Sequence, residues 1–367
     1  MSVTPNVRSQ PSHSPKLAEG SMLTPNKAIG NISRIFIVGH NDSIENSLRG
    51  YFKAEGFSQV ISNTKDRINV LDQAKVDGFF KKFKPSHVFL GSLRSGGIAA
   101  NQKFPAEFIY ENTQSQNLVI DAARRYSVKK LLYFSSSCVY PKEAKQPIKE
   151  TSLLTGPIEE TSGPYATAKI AGTKMCQAYK AQYNFNAIAA VPATLYGPGS
   201  DTDIENAHVL GALIAKFHKA KIEGQKEVVV WGSGKPKREF LYVDDFVSAC
   251  LFLMEHYDGT EVINAGSGYD VTIKQLAGMI KNTSGFKGKI IFDTTKPDGA
   301  MRKLMDNTRM RKLGWKPKVN LEEGIEKTYQ WYLQKNGSIK LKSVKGSGLK
   351  KGVSLDNNAS LLVKMKG

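Results

Sequence analysis

Residues four apart on a helix share a face, so Tyr165 and Lys169 of Tyr165-Ala-Thr-Ala-Lys169 would stand side by side. An ammonium beside a phenol favours the phenolate, and this spacing predicts a Tyr165 pKa lowered toward neutrality. Such a phenol can exchange a proton at a carbinol or carbonyl centre. The spacing alone is weak, because Tyr126-Ser-Val-Lys-Lys130 repeats it and is assigned no role. Upstream, the apolar run from Lys130 ends in Ser135, Ser136, Ser137 and Cys138. Ligands of open α/β sheets bind outside the carboxyl ends of strands, where such hydroxyls could hold a carbonyl oxygen. A hydroxyl-rich strand end followed by a Tyr-x3-Lys helix is a rarer pairing than either alone.

The surrounding elements must bring these groups together. Short apolar strands are expected at Arg34–Val38, Gln59–Ser62, His87–Gly91, Lys130–Ser135 and Ala187–Val191. Helical patterns at Ser43–Glu55, Gln73–Phe83, Pro105–Arg125 and Tyr165–Tyr183 alternate with them. This alternation predicts a Rossmann-type, doubly wound parallel sheet. From about Pro192 the pattern turns into a smaller mixed α/β lobe, with some elements returning to the sheet. Its helices are expected near Ile204–Ala220, Asp244–Glu255, Thr272–Thr283, Arg302–Leu313 and Leu321–Leu333. Its strands are expected near Val228–Trp231, Glu239–Tyr242, Val262–Ala265 and Lys289–Phe292. The domain reading is a disordered extension over 1–31, a dinucleotide-binding domain over 32–192, a mainly substrate-binding lobe over 193–334, and a basic, mostly disordered tail over 335–367.

Composition excludes several classes. The chain has 367 residues and no apolar run long enough to span a membrane, so no membrane role is expected. The N-terminus lacks the apolar core of a secretory signal. Cys138, Cys176 and Cys250 form neither a complete disulfide set nor a zinc spacing, so no metal is expected and a reducing cytoplasm is the expected compartment. The net charge is +19, and eight lysines from Lys335 onward supply much of it. The body remains basic, which suits anionic ligands such as nucleotides and diphosphates. No helix-turn-helix, finger or aromatic RNA-binding signature accompanies the charge, so no nucleic-acid partner is expected.

Further segments carry a resemblance. They include Ser95-Gly-Gly-Ile98, Ser136-Ser-Cys-Val-Tyr-Pro141, Pro164-Tyr-Ala-Thr-Ala-Lys-Ile-Ala-Gly172, Leu195-Tyr-Gly-Pro198, Asn206-Ala-His208, Val230-Trp-Gly-Ser-Gly234, Arg238-Glu-Phe-Leu241, and Lys296-Pro-Asp-Gly299 with Arg302-Lys-Leu304. From about Arg34 to Leu333 the chain resembles the extended short-chain dehydrogenase/reductases, and within them the GDP-L-fucose synthase family. The resemblance implies an NADP(H)-dependent epimerisation at C3 and C5, and a 4-keto reduction, of a GDP-4-keto-6-deoxyhexose. It implies Tyr165 as the general acid of reduction and Lys169 as its tuner and nicotinamide-ribose ligand. Ser136 would hold the C4 oxygen, and Ser137 would line the same pocket. Cys138 and His208 would be the base and acid that invert C3 and C5. Lys216, Trp231, Arg238 and Lys303 would bind the GDP-sugar, and Ser92 would join Gly39 on the cofactor. A homodimer through the Pro105–Arg125 and Tyr165–Tyr183 helices is also implied.

The first strand-to-helix turn departs from the pattern. Gly-x-x-Gly-x-x-Gly is reduced to Gly39, with Asp42 and Glu45 at the later glycine positions. Those glycines ordinarily allow close backbone approach to the pyrophosphate and tight helix packing. Asp42 reads better as a helix cap than as a cofactor ligand. Lys65 stands where the family carries an Arg for the 2′-phosphate, which favours NADP(H) over NAD(H). Two alternatives share these residues: a related reductase or epimerase acting on another GDP-sugar, and a nucleotide-sugar binder that has lost its dinucleotide.

Overall fold

The structure is a computed structural model that describes residues 29–30, 32–39, 42–205, 207–296 and 298–337. Most of the two terminal segments expected to be disordered lies outside the described residues. Ile29, within the first of them, is buried against the main core.

The first half alternates strands with helices: β1 (Ile35–Val38), α1 (Asp42–Ala54), β2 (Val60–Ser62), α2 (Gln73–Phe83), β3 (His87–Leu90), α3 (Ile98–Lys103), α4 (Pro105–Arg125), β4 (Lys130–Phe134), α5 (Gly163–Tyr183) and β5 (Ala187–Pro192). β1, β3 and β4 are apolar along almost their whole length and buried throughout, as strands covered on both faces must be. The decoy pair is taken apart by this layout. Tyr126 follows the end of α4, whereas the buried Lys130 starts β4 and donates to the carbonyls of Leu253 and Met254 and to Asp258.

The second half adds β6 (Thr194–Tyr196), α6 (Val209–Ile222), β7 (Glu227–Trp231), β8 (Lys237–Tyr242), α7 (Val243–His256), β9 (Ile263–Ala265), β10 (Asp270–Thr272), α8 (Ile273–Ser284), β11 (Lys289–Asp293), β12 (Arg302–Lys303), α9 (Thr308–Leu313) and α10 (Leu321–Lys335). The main sheet is parallel and six-stranded, in the order β2-β1-β3-β4-β5-β9. β9 is the returning element. α1 packs with α7, and α4 packs with α2 and α5. The smaller lobe has its own core, in which Leu213, Ile214, Phe217, Leu276, Ile280 and Ile325 of α6, α8 and α10 meet Phe240 of β8.

Two expected helices differ. α6 starts at Val209 rather than near Ile204, because the Asp201 and Asp203 carboxylates accept from the N–H groups of Asp203 and Glu205 and compete with helical bonding. The stretch from Arg302 is not helical until Thr308. Arg302 and Lys303 pair with Lys237 and Arg238 of β8. Leu304 N–H donates to Gln146 Oε1 and Met305 N–H to the buried Glu239 carboxylate, so tertiary bonds override local propensity. That pairing sets Lys303 beside Arg238.

Candidate active site

The C-terminal ends of β1, β3 and β4 open onto a cleft of about 1100 Å³, whose far wall is built from the smaller lobe. It is continuous from Gly39 and Glu45, past Ser92, Ser136 and Tyr165, to Trp231 and Lys303. That length suits two ligands laid end to end.

α5 sits close on the sheet because Gly172 faces Tyr133 and Gln116. A Cβ there would collide with Tyr133 Oη. Gln116 of α4 donates to Ala168 O at 2.8 Å and accepts from Tyr133 Oη at 2.5 Å, so α4, α5 and β4 are locked together. One and two turns before Gly172, this packing leaves Lys169 buried, 1% exposed, and Tyr165 on the cleft wall.

The expected phenol–ammonium pairing is not made. Lys169 Nζ donates to Phe134 O at 2.8 Å and lies 4.4 Å from the Tyr133 ring centroid. Burial lowers its pKa to about 7, with Cys176 opposing, and so weakens it as an electrostatic lever. Burial also pushes the Tyr165 phenol up to about 12, with the Ser92 and Ser136 hydroxyls pulling it down and Cys138 pushing it further up. The expected shift toward neutrality is therefore reversed, because desolvation of a buried phenol outweighs its hydroxyl partners.

Cys138 sits in a single turn of 3-10 helix over Ser137–Val139, begun by the Ser136 side chain, which accepts from Cys138 N–H at 3.3 Å. Burial raises the thiol, but Lys303, the Ser136 and Ser162 hydroxyls and Arg238 together hold its pKa below the ordinary thiol value. His208, immediately before α6, also lines the cleft. Desolvation and the Lys303 charge lower its pKa, and Asp201 opposes them. One ammonium thus favours the basic form of both groups.

Ser136, Ser137, Cys138, Tyr165, His208, Trp231, Arg238, Lys303, Ser92 and Gly39 all line the cleft. Lys216 does not. It reaches the cleft indirectly, its ammonium 5.4 Å from the Trp231 ring centroid, with Lys296 at 5.7 Å. Lys65 is exposed in the turn after β2, off the cleft wall. Sequence reading passed over Ser162, which reaches the Cys138 thiol, and Asp298, which lines the cleft and accepts from Ser233 N–H at 2.9 Å and Oγ at 2.6 Å. Asp298 lies in Lys296-Pro-Asp-Gly299 and Ser233 in Val230-Trp-Gly-Ser-Gly234, so both segments are legible in the sequence, but their pairing across 65 residues is not.

The Asp42 side chain, expected as a cap, lies outside the described residues. Glu45 is 3% exposed, and its carboxylate accepts from Ser62 Oγ at 2.6 Å and from Thr64 Oγ1. The charge that would repel a pyrophosphate is occupied by two hydroxyls at the end of β2. Gly39 N–H donates to Asn63 Oδ1 at 2.8 Å, joining the turn to the same strand end. Gly91 abuts Val38 O and Phe134, with no space for a Cβ free of close contact, and keeps the cleft floor open. The residues at this end, Gly39 and Ser92 among them, could hold a dinucleotide along the cleft that Tyr165 also lines.

Comparison with known proteins agrees with this geometry. Residues 35–266 match the NAD dependent epimerase/dehydratase family. The chain is 49% identical over 302 residues to "Putative GDP-L-fucose synthase 2" of Arabidopsis thaliana, covering 82% of this chain and 92% of that one. It is 43% identical over 310 residues to the GDP-L-fucose synthase of Escherichia coli (strain K12), covering 82% and 97%. Among solved structures, the GDP-mannoheptose C4 reductase from Campylobacter jejuni with NADP bound superposes with a TM-score of 0.76 at 37% identity, covering 83% and 99%. By these matches, this chain belongs to the NAD dependent epimerase/dehydratase family and, within it, to the GDP-L-fucose synthase family.

Proposed function

We propose that the protein is an NADPH-dependent epimerase/reductase that inverts C3 and C5 of a GDP-4-keto-6-deoxyhexose and reduces its 4-keto group, as in GDP-L-fucose synthesis. The observation that carries this reading is the meeting, on one cleft wall, of a reductase pair, Ser136 and Tyr165, with a thiol of lowered pKa, Cys138.

A ketone acidifies the carbons on either side of it. Cys138 as thiolate removes the proton from C3 or C5, and Ser136 holds the charge that develops on the C4 oxygen. His208 as imidazolium returns a proton from the other side. One ketone serves both centres. NADPH, when bound, supplies the hydride to C4. Tyr165 gives its proton to the C4 oxygen, and Lys169 would hold the nicotinamide ribose on leaving its present partner, Phe134 O. Gly39 and Ser92 would border the cofactor, and Lys65, exposed after β2, would reach for its 2′-phosphate. Arg238 and Lys303 meet the diphosphate, Trp231 and Ser137 cover the nucleotide-sugar, and Lys216 and Lys296 steady the indole. Homodimerisation through α4 and α5, and a cytoplasmic location, complete the reading. No helix among the described residues is long and apolar enough to cross a membrane.

The test is turnover of GDP-4-keto-6-deoxymannose with NADPH. Tyr165→Phe is expected to lower reduction by about 10²–10⁴-fold, the range of a positioned general acid. Cys138→Ser is expected to lower solvent-deuterium incorporation at C3 and C5 by a similar factor, while reduction of a substrate already epimerised survives. Equal loss of both activities in Cys138→Ser contradicts the assignment.

A further inference from the structure

Ser92 follows β3 at the carboxyl edge of the sheet, half-buried on the cleft wall. Its hydroxyl lies 3.1 Å from Tyr165 Oη. The contact is held from behind. Asn112 of α4, 2% exposed, accepts from the N–H groups of Leu93 and Arg94 at 2.9 and 3.2 Å, and donates to Arg94 O at 3.0 Å. Arg94 in turn makes a two-pronged pair with Glu111 of the same helix, at 3.0 and 2.9 Å. Phe108, also on α4, stands edge-on to the Tyr165 ring at 6.1 Å between centroids. One helix therefore fixes both the Ser92 loop and the phenol ring. Lys169, the other candidate partner of the phenol, is spent on Phe134 O.

We infer that Ser92 is a positioning residue for Tyr165, aiming its hydroxyl and returning the proton it gives up in reduction. The inference rests on Tyr165 being the acid of the proposed reaction. When Tyr165 Oη–H passes its proton to the C4 oxygen, a phenolate remains. Ser92 Oγ–H donates to that phenolate and passes its proton across. A solvent proton entering through the cleft replaces it on Ser92 Oγ. One proton leaves with the product alcohol and one enters from solvent. The titratable groups facing Tyr165 are Cys138 after β4 and Tyr133 within β4, while Lys169 on its own helix turns to Phe134 O. None of them is a hydroxyl open to solvent. Ser136, the other hydroxyl at the phenol, is committed to the substrate oxygen.

The experiment compares Ser92→Ala, Ser92→Thr and the unaltered chain by two routes. In the free protein, tyrosines isotopically labelled at Cζ are observed by NMR, and the Tyr165 signal is identified by its loss in Tyr165→Phe. Ser92→Ala is expected to move that signal, and Ser92→Thr to return it. In turnover, Ser92→Ala is expected to lower kcat roughly threefold to tenfold, the rate equivalent of one hydrogen bond. The kcat dependence on heavy-water fraction is expected to change from curved, with two protons in flight, to linear. An unmoved Tyr165 signal overturns the inference. So does weakened NADPH binding by calorimetry with kcat unchanged, which makes Ser92 a cofactor ligand only. If the unaltered chain does not turn over, the functional reading fails while the NMR arm still reads the Ser92–Tyr165 contact.

Discussion

Lys303 is the residue on which the site's electrostatics converge. It lowers the pKa of both Cys138 and His208. The signs are simple: a nearby positive charge stabilises a thiolate and destabilises an imidazolium. Removing it raises both pKa values. Lys303→Met is expected to slow alkylation of Cys138 at neutral pH in the free protein, because less thiolate is present. Mass spectrometry reads this cleanly, since Cys176 and Cys250 are buried. For the same reason both limbs of the pH profile for C3/C5 proton exchange are expected to move to higher pH. At this scale the residue types were legible in the sequence, and the pairings were not. Tyr-x3-Lys suggested a lowered phenol pKa, yet the two side chains part company: Lys169 turns to the carbonyl of Phe134 while Tyr165 faces Ser92. Helical spacing states which face a residue is on and says nothing of the strand that competes for its head group.

The turn from β1 into α1 shows how an element absorbs an unfavourable residue. A glutamate at a glycine position would ordinarily hold the helix off the sheet and face an anion. Here Glu45 is buried and takes up the hydroxyls of Ser62 and Thr64. Its replacement by Ala would leave both hydroxyls without this acceptor. Glu45→Ala is expected to cost about 1–3 kcal/mol of stability, measured as a lowered denaturation midpoint with unchanged slope. A midpoint within experimental error of the unaltered chain's would mean that water replaces the carboxylate freely. β12 makes the same point from the other side. Local pattern in Arg302–Leu313 reads as helix, but pairing with β8 extends Arg302 and Lys303 and aims Lys303 at the thiol.

The whole molecule has two cores and a cleft between them. Glu239 of β8, 2% exposed, ties the lobe's strand to loops on either side by accepting from Gly268 N–H at 2.7 Å and Met305 N–H at 2.9 Å. On the outer face of α4 and α5, Tyr110 is 64% exposed, with Ile109 and Tyr183 also open. Apolar side chains on paired helices suit the proposed homodimer. Tyr110→Glu is expected to shift the sedimentation profile from dimer toward monomer, because a carboxylate would be desolvated in that interface. A monomeric unaltered chain at micromolar concentration would remove the dimer reading.

By itself the sequence determined the alternation of strand and helix, hence the parallel sheet and the edge at which ligands bind. Those properties follow from hydrophobic period and strand length, which are local. It also identified the types of group the chemistry needs, because each type carries its chemistry in its own side chain. Tertiary structure alone decided which groups meet: Ser92 with Tyr165, Lys303 with Cys138 and His208, Ser233 with Asp298, and Glu45 with the end of β2. Each pairing joins segments distant in sequence and depends on burial and competing hydrogen-bond partners. Desolvation belongs to a position in the folded molecule, and no spacing along the chain encodes it.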